Sequence, residues 1–145
     1  MNDKEFVDTN VLIYAFDRSA AQKRDLAAAL VERLWSERLG CLSLQVLQEF
    51  YVTATRKLGM PAGDAARHVE RFGKWTVHCP GFEDLRAAIE LQRRKQVAFW
   101  DAMILRSAMR LNCQVLWSED LATGPRWDSV AVRNPFLVSE PASSR

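Results

Sequence analysis

Residues 5–16 read Glu5-Phe6-Val7-Asp8-Thr9-Asn10-Val11-Leu12-Ile13-Tyr14-Ala15-Phe16. A short apolar strand, Glu5 to Val7, runs into three turn-forming polar residues, Asp8-Thr9-Asn10, and a short helix follows from Val11 to Phe16. A strand that passes straight into a helix opens a β-α-β unit, and the rest of the chain repeats the alternation.

Working outward, Leu26, Leu30, Leu34 and Trp35 line one face of a helix over 20–39 that Gly40 closes. Cys41-Leu42-Ser43 is a second strand. Leu47, Phe50, Ala54 and Leu58 define a helix stopped by Gly59 and Pro61, and 62–75 is a more polar helix with Arg67, Arg71 and Lys74. Residues 75–79 read as a strand ended by Pro80-Gly81, and 83–96 as a helix with Leu85 and Ile89 facing inward. The most apolar helix spans 99–111. Residues 114–117 are a strand, 118–126 a loop containing Gly124-Pro125, and 129–132 the last strand before Asn134-Pro135. Such alternation predicts right-handed crossovers and a mostly parallel sheet covered on both faces. Ligands of such sheets bind beyond the carboxyl ends of the strands.

The chain has 145 residues, 48% hydrophobic and 26% charged, which fits one globular domain and excludes disordered and low-complexity classes. We assign residues 1–138 to that domain and 139–145, too polar to pack, to a flexible tail. No apolar run reaches the roughly 18 to 20 residues of a membrane span, and no signal-peptide pattern opens the chain. Cys41, Cys79 and Cys113 are odd in number and widely spaced. They read as buried thiols in a reducing cytoplasm, not as disulfides or a zinc site.

Four acids occupy unusual positions. Asp101 is the one polar residue between Val97 and Leu105; unpaired there, a carboxylate carries a desolvation cost of several kcal/mol. The alternative is a helix cap, with the helix starting at Ala102. Asp8 ends the first strand, where it also suits a cap or an Asx-turn. Glu49 lies in the first turns of the helix after the second strand, and Ser118-Glu119-Asp120 follows the fourth strand. In an α/β sheet Asp8 and Asp120 fall just past strand ends, with Glu49 and Asp101 beginning helices beside them. Two carboxylates about 5 Å apart repel by roughly 3 kcal/mol at an effective dielectric near 20. Four together rival the whole stability of a domain, about 5 to 15 kcal/mol. A cluster of this kind needs a cation or shared protons, and all-oxygen donors favour Mg²⁺ or Mn²⁺.

Setting those four aside leaves 20 basic residues facing 14 acids. Arg56-Lys57, Arg93-Arg94-Lys95, Arg106 and Arg110 contribute to the excess, which suits a polyanionic substrate. For residues 93–95 a solvated, dipole-compensating helix end explains the charges equally well.

Phe6-Val7-Asp8-Thr9-Asn10-Val11-Leu12, Glu49, Phe99-Trp100-Asp101-Ala102, Leu116-Trp117-Ser118-Glu119-Asp120-Leu121 and Asn134-Pro135-Phe136 together resemble the PIN domain, and in particular the VapC-type toxins of bacterial toxin–antitoxin pairs. The resemblance spans Phe6 to Phe136. It implies a three-layer α/β/α sandwich with a five-stranded, mostly parallel sheet and a Mg²⁺- or Mn²⁺-dependent endoribonuclease acting on RNA phosphodiesters. It also implies a homodimer and an antitoxin protein that blocks the site. Asp8, Glu49, Asp101 and Asp120 match the family's four acids and are the expected catalytic and metal-binding set, Glu49 directly or through water. Asn10 and Ser118 match polar positions that would orient water or phosphate, and Glu119 is an alternative to Asp120. His68 and His78 read as structural.

Two other readings compete. A haloacid-dehalogenase-type phosphatase needs Asp-x-Asp after the first strand, and the third position here is Asn10. An RNA- or protein-binding module with a catalytically inactive site differs in metal uptake. No glycine-rich phosphate loop is present.

Overall fold

The computed structural model describes residues 3–123 and 126–137, so the expected tail at 139–145 lies outside the described residues. The elements are β1 (Glu5–Val7), α1 (Thr9–Tyr14), α2 (Ala21–Glu37), β2 (Gly40–Ser43), α3 (Leu44–Arg56), α4 (Ala62–Phe72), β3 (Thr76–His78), α5 (Phe82–Lys95), α6 (Phe99–Arg110), β4 (Val115–Trp117), β5 (Arg126–Trp127) and β6 (Val130–Arg133). The sheet order is β3-β2-β1-β4-β6-β5. Every pairing is parallel except β5 with β6.

The expected mostly parallel α/β architecture is present, with six strands where five were predicted. The additional one is β5, only two residues long, within and just beyond the segment read as a loop. Two residues are too few to show alternation, and the hairpin depends on Asp128 taking a left-handed conformation (φ 57°).

β1 and β2 are buried along their whole length, as central parallel strands covered on both faces must be. Phe6, Leu42, Leu116, Phe50, Leu34, Ile104 and Leu105 form the heart of the core. The chain builds β1, β2 and β3 to one side and then returns to β4 on the other. The order therefore reverses between β1 and β4, and a crevice opens beyond their carboxyl ends.

Several details differ from the sequence reading. α2 ends with Arg38 in the left-handed region (φ 59°), not with Gly40. Gly40 instead begins β2, where a Cβ would lie 2.3 Å from the Trp75 ring. Gly40→Ala is therefore expected to force the ring out of its seat and cost about 1–3 kcal/mol, read as a lowered melting temperature. Leu26 and Trp35 lie 42% and 37% exposed, so the α2 face turned to the core carries Ala27, Leu30 and Leu34. Ile89 is 40% exposed because α5 turns Asp84, Ala88 and Leu91 inward. Cys41 and Cys113 are buried, and Cys41 Sγ donates to Leu39 O at 4.0 Å; Cys79, expected inside, is exposed. Its strand ends at His78, which leaves it in the turn beyond.

The inward Asp84 serves a polar knot. Its Oδ1 accepts from Arg106 Nε and Arg110 at 2.8 Å each, and its Oδ2 accepts from the Gly81 amide at 2.9 Å. His78 Nε2 lies 3.4 Å from Oδ2, and His78 Nδ1 pairs with Ser107 Oγ at 2.8 Å. Burial pushes the Asp84 carboxyl up, but the Gly81 amide, the two guanidinium groups and His78 outweigh it and hold the group below its usual range. Two of the basic residues counted toward a substrate surface, Arg106 and Arg110, are thus committed to fastening α6 to the start of α5.

Candidate active site

Asp8 ends β1 and caps α1. Its backbone is extended (φ −73°, ψ 159°), and Oδ1 accepts the Thr9 amide at 2.7 Å. The cap reading is therefore right for Asp8, although it does not exhaust its role. β4 lies alongside, with the Asp8 amide donating to Trp117 O at 2.9 Å. This registers the following residue, Ser118, against Asp8, and Ser118 Oγ donates to Asp8 Oδ2 at 2.9 Å. Ser118 is fully buried and also accepts the Leu121 amide at 3.2 Å. It holds Asp8 and turns the loop. It is not among the residues that line the cavity, so an orienting role toward water or phosphate would act through Asp8.

Asn10 does reach the cavity. Its Nδ2 donates to Asp120 Oδ2 at 3.0 Å and lies 3.5 Å from Asp8 Oδ2, while its Oδ1 accepts the Glu119 amide at 3.1 Å. One amide thus bridges two carboxylates that would otherwise repel. Glu49 enters from α3 with both oxygens held: Thr9 Oγ1 donates to Oε1 at 2.6 Å and Gln45 Nε2 to Oε2 at 3.1 Å. Neither Thr9 nor Gln45 was singled out from the sequence. The position of Gln45 one helical turn before Glu49 was the available signal.

Asp101 stands in the first turn of α6, whose cap is Ala98. The cap reading of Asp101 is thereby excluded, and its carboxylate points into the cavity shared with the others. Glu119 and Asp120 separate cleanly. Glu119 forms an ion pair with Lys23 of α2, whose ammonium also lies 4.9 Å and 5.4 Å from the Tyr14 and Phe136 ring centroids. Asp120 is exposed, held by Asn10 and electrostatically coupled to Asp101. Lys23 neutralises Glu119, so Asp120 is the acid left facing the others.

Asp8, Asn10, Glu49, Asp101, Glu119 and Asp120 all line one cavity of about 1480 Å³. Burial pushes the Asp8 carboxyl up to about 6. Ser118 and the Thr9 amide pull against that shift, and the nearby charges of Asp101 and Glu49 add to it. Burial likewise raises Asp101, followed by the charges of Asp120 and Glu49. Such shifts mark carboxylates that are buried first, and set near like charges second, without a counter-charge.

Among the described residues, no three His, Cys, Asp or Glu side chains are already closed around a metal-sized point. The arrangement is an open cleft in which Asn10 and Thr9 stand among the acids. An open oxygen-donor cleft still suits Mg²⁺ or Mn²⁺, because Mg²⁺ keeps several waters and takes only one or two protein carboxylates. The raised Asp8 and Asp101 are the groups a divalent cation would relieve.

A model of the PIN domain family matches residues 6–122. No curated protein matches the chain. Among solved structures, VapC20 of Mycobacterium tuberculosis, a sarcin–ricin loop cleaving toxin, superposes with a TM-score of 0.64 at 22% identity, covering 81% of this chain and 92% of that one. A toxin–antitoxin complex from Klebsiella pneumoniae gives 0.67 at 19% identity, covering 92% and 98%. FitAB bound to a DNA fragment gives 0.63 at 16%, covering 94% and 98%. At these identities the likeness is one of fold.

Proposed function

The chain belongs to the PIN domain family, and from that premise we propose that it is a divalent-metal-dependent endoribonuclease, the toxin of a toxin–antitoxin pair. The observation that carries the reading is the buried Asp8 carboxyl at the end of the central strand, pushed up to about 6 by burial and by its acidic neighbours, inside a large open cavity.

Asp8, Asp101 and Asp120 would hold Mg²⁺ or Mn²⁺, with Glu49 directly or through water. The ion would supply Lewis acidity, lowering the pKa of a water and neutralising charge on the phosphoryl and leaving oxygens. The chain's own groups set the geometry. Ser118 and the Thr9 amide fix both oxygens of Asp8, so the carboxylate cannot rotate away when a neighbour moves. Asn10 holds Asp120 at a set distance from Asp8. Thr9 and Gln45 orient Glu49, which leaves its remaining lone pairs to accept hydrogen bonds from water. Hydrolysis then needs a P–O bond to form from water as the bond to the leaving oxygen breaks, with the water's proton passing to a carboxylate or to solvent.

The reading extends to partners: an RNA substrate in the cytoplasm, an antitoxin protein that occludes the cavity, and a second copy of the chain. The shared fold with toxin–antitoxin structures supports the antitoxin. Among the described residues no helix is long and apolar enough to cross a membrane.

The test is RNA cleavage by purified protein with Mg²⁺, with Mn²⁺ and with EDTA. EDTA should stop cleavage, and Asp120→Asn should slow it at least about 100-fold. Glu119→Gln should cost less, because Lys23 already neutralises that acid. Cleavage indifferent to EDTA and to Asp120→Asn would sink the proposal.

A further inference from the structure

The cavity does not end at the acids. Gln45, Glu49, Thr53 and Lys57 recur at intervals of four residues along α3 and its C-cap, and all line the same cavity. At 1.5 Å per residue this stripe runs about 18 Å, of which about 12 Å separates Glu49 from Lys57. α4, which packs on α3, lines the far end with Arg67, His68 and Arg71.

The charges are unevenly placed along it, and Asp17, Arg18 and Arg24 line it as well. The near end presents Asp8, Glu49, Asp101, Glu119 and Asp120. Around Lys57, the far end presents Arg67 and Arg71 against Asp64. Asp64 is taken up by Arg67. Lys57 has no ion-pair partner among the described residues, and Arg71 no carboxylate partner. Arg71 is nevertheless held in place: its guanidinium lies 5.3 Å from the Trp35 ring centroid, and NH1 lies 3.3 Å from His68 Nδ1. Burial and the adjacent Arg71 lower His68, which keeps its ring neutral and able to accept from that guanidinium. A guanidinium held over an aromatic ring, with most of its donors lacking a partner among the described residues, is prepared for phosphate, which it can bind in two-pronged fashion.

We propose that the groove along α3 is the track of the substrate strand, with the scissile phosphodiester at the acidic end and flanking backbone phosphates held by Lys57 and Arg71. The assignment rests on the endoribonuclease reading and adds a binding subsite to it. Arg93, Arg94 and Lys95, at the end of α5, do not line this cavity and take no part in the track. The open, groove-like course along a helix suits a single strand, whose backbone can follow it, better than a duplex.

The experiment uses the full chain carrying Asp101→Asn, so that RNA survives, and a fluorescein-labelled single-stranded oligoribonucleotide followed by anisotropy from 50 to 300 mM KCl. Adding Lys57→Ala and Arg71→Gln together should weaken binding about tenfold or more at low salt. It should also flatten the slope of log affinity against log salt by about 1.4, that is about 0.7 for each phosphate that is no longer neutralised. Arg93→Ala with Arg94→Ala, the same loss of charge outside the groove, should change neither quantity. Equal slopes for the groove variant and its parent would overturn the track, as would an equal flattening by the Arg93 and Arg94 pair. Displacement of the oligonucleotide by polyglutamate but not by unlabelled RNA would give the subsite to an acidic protein and likewise overturn it. Should the protein without Asp101→Asn fail to cut RNA while the groove variant shows the expected flattening, the nuclease reading falls and the nucleic-acid track stands.

Discussion

Asp8→Asn is expected to slow RNA cleavage at least about 100-fold and, in EDTA at pH 7.5, to raise the melting temperature. The two effects share a cause. The Asp8 carboxyl titrates at about 6 in the folded protein, driven by burial first and by Asp101 and Glu49 after the opposing hydrogen bonds, against about 4 in an unfolded chain. Between those values the native state holds more protons than the unfolded state. The stability of the metal-free protein therefore falls as pH rises from about 4 to about 6, and about 3 kcal/mol is missing above that range. Asn carries no charge and still caps α1 through its oxygen. It weakens the Ser118 hydrogen bond, at about 1 kcal/mol. The net gain is about 2 kcal/mol, or roughly 4–8 °C, and it should vanish as the pH approaches 4. Thermal melts at pH 4, 6 and 7.5, beside a cleavage assay in Mg²⁺, check both halves. A variant that melts below its parent at pH 7.5 contradicts the burial of an uncompensated charge at Asp8. One that still cuts RNA contradicts the assignment of Asp8.

The opposite behaviour is expected of Asp84, a buried anion that already has its counter-charges. Asp84→Ala leaves Arg106, the Gly81 amide and His78 without their acceptor, and losing one partner of such a buried set costs about 3–5 kcal/mol. Urea or thermal unfolding reads this directly as a midpoint lowered by roughly 10 °C or more. Arg110→Gln should cost far less, about 1 kcal/mol, because its side chain is 48% exposed and Arg106 remains on the same oxygen. Equal losses from both substitutions would mean that burial of the carboxylate is not what makes the knot expensive to break.

These two carboxylates also mark what the amino-acid order reveals. Asp8 was legible because it follows a three-residue strand and precedes a helix, and strand ends in α/β sheets face the ligand crevice. Element positions were legible for the same local reasons: β1 was read with the bounds it has, and α6 to within one residue. Asp84 was not singled out, because nothing in Phe82-Glu83-Asp84-Leu85 says which acid turns inward. Its partners lie 22 and 26 residues away on another helix. The inward placement of Ile89 failed with it: the knot rotates α5 so that Ala88 and Leu91 take the core. In the cavity, Asp8, Glu49, Asp101 and Asp120 were found through their unusual places. Thr9 and Lys23 act across 40 and 96 residues respectively, and Ser118 is spent on Asp8. Such pairings become visible only when the chain is folded.

The sheet itself limits how this protein can associate. One border is β3, three residues long, and the other is β5, only two residues long and turned antiparallel. Neither exposes a run of unpaired amides and carbonyls long enough to recruit a strand from another molecule. Among the described residues, then, joining by sheet extension is disfavoured, and a stable companion would be gripped mainly through side chains.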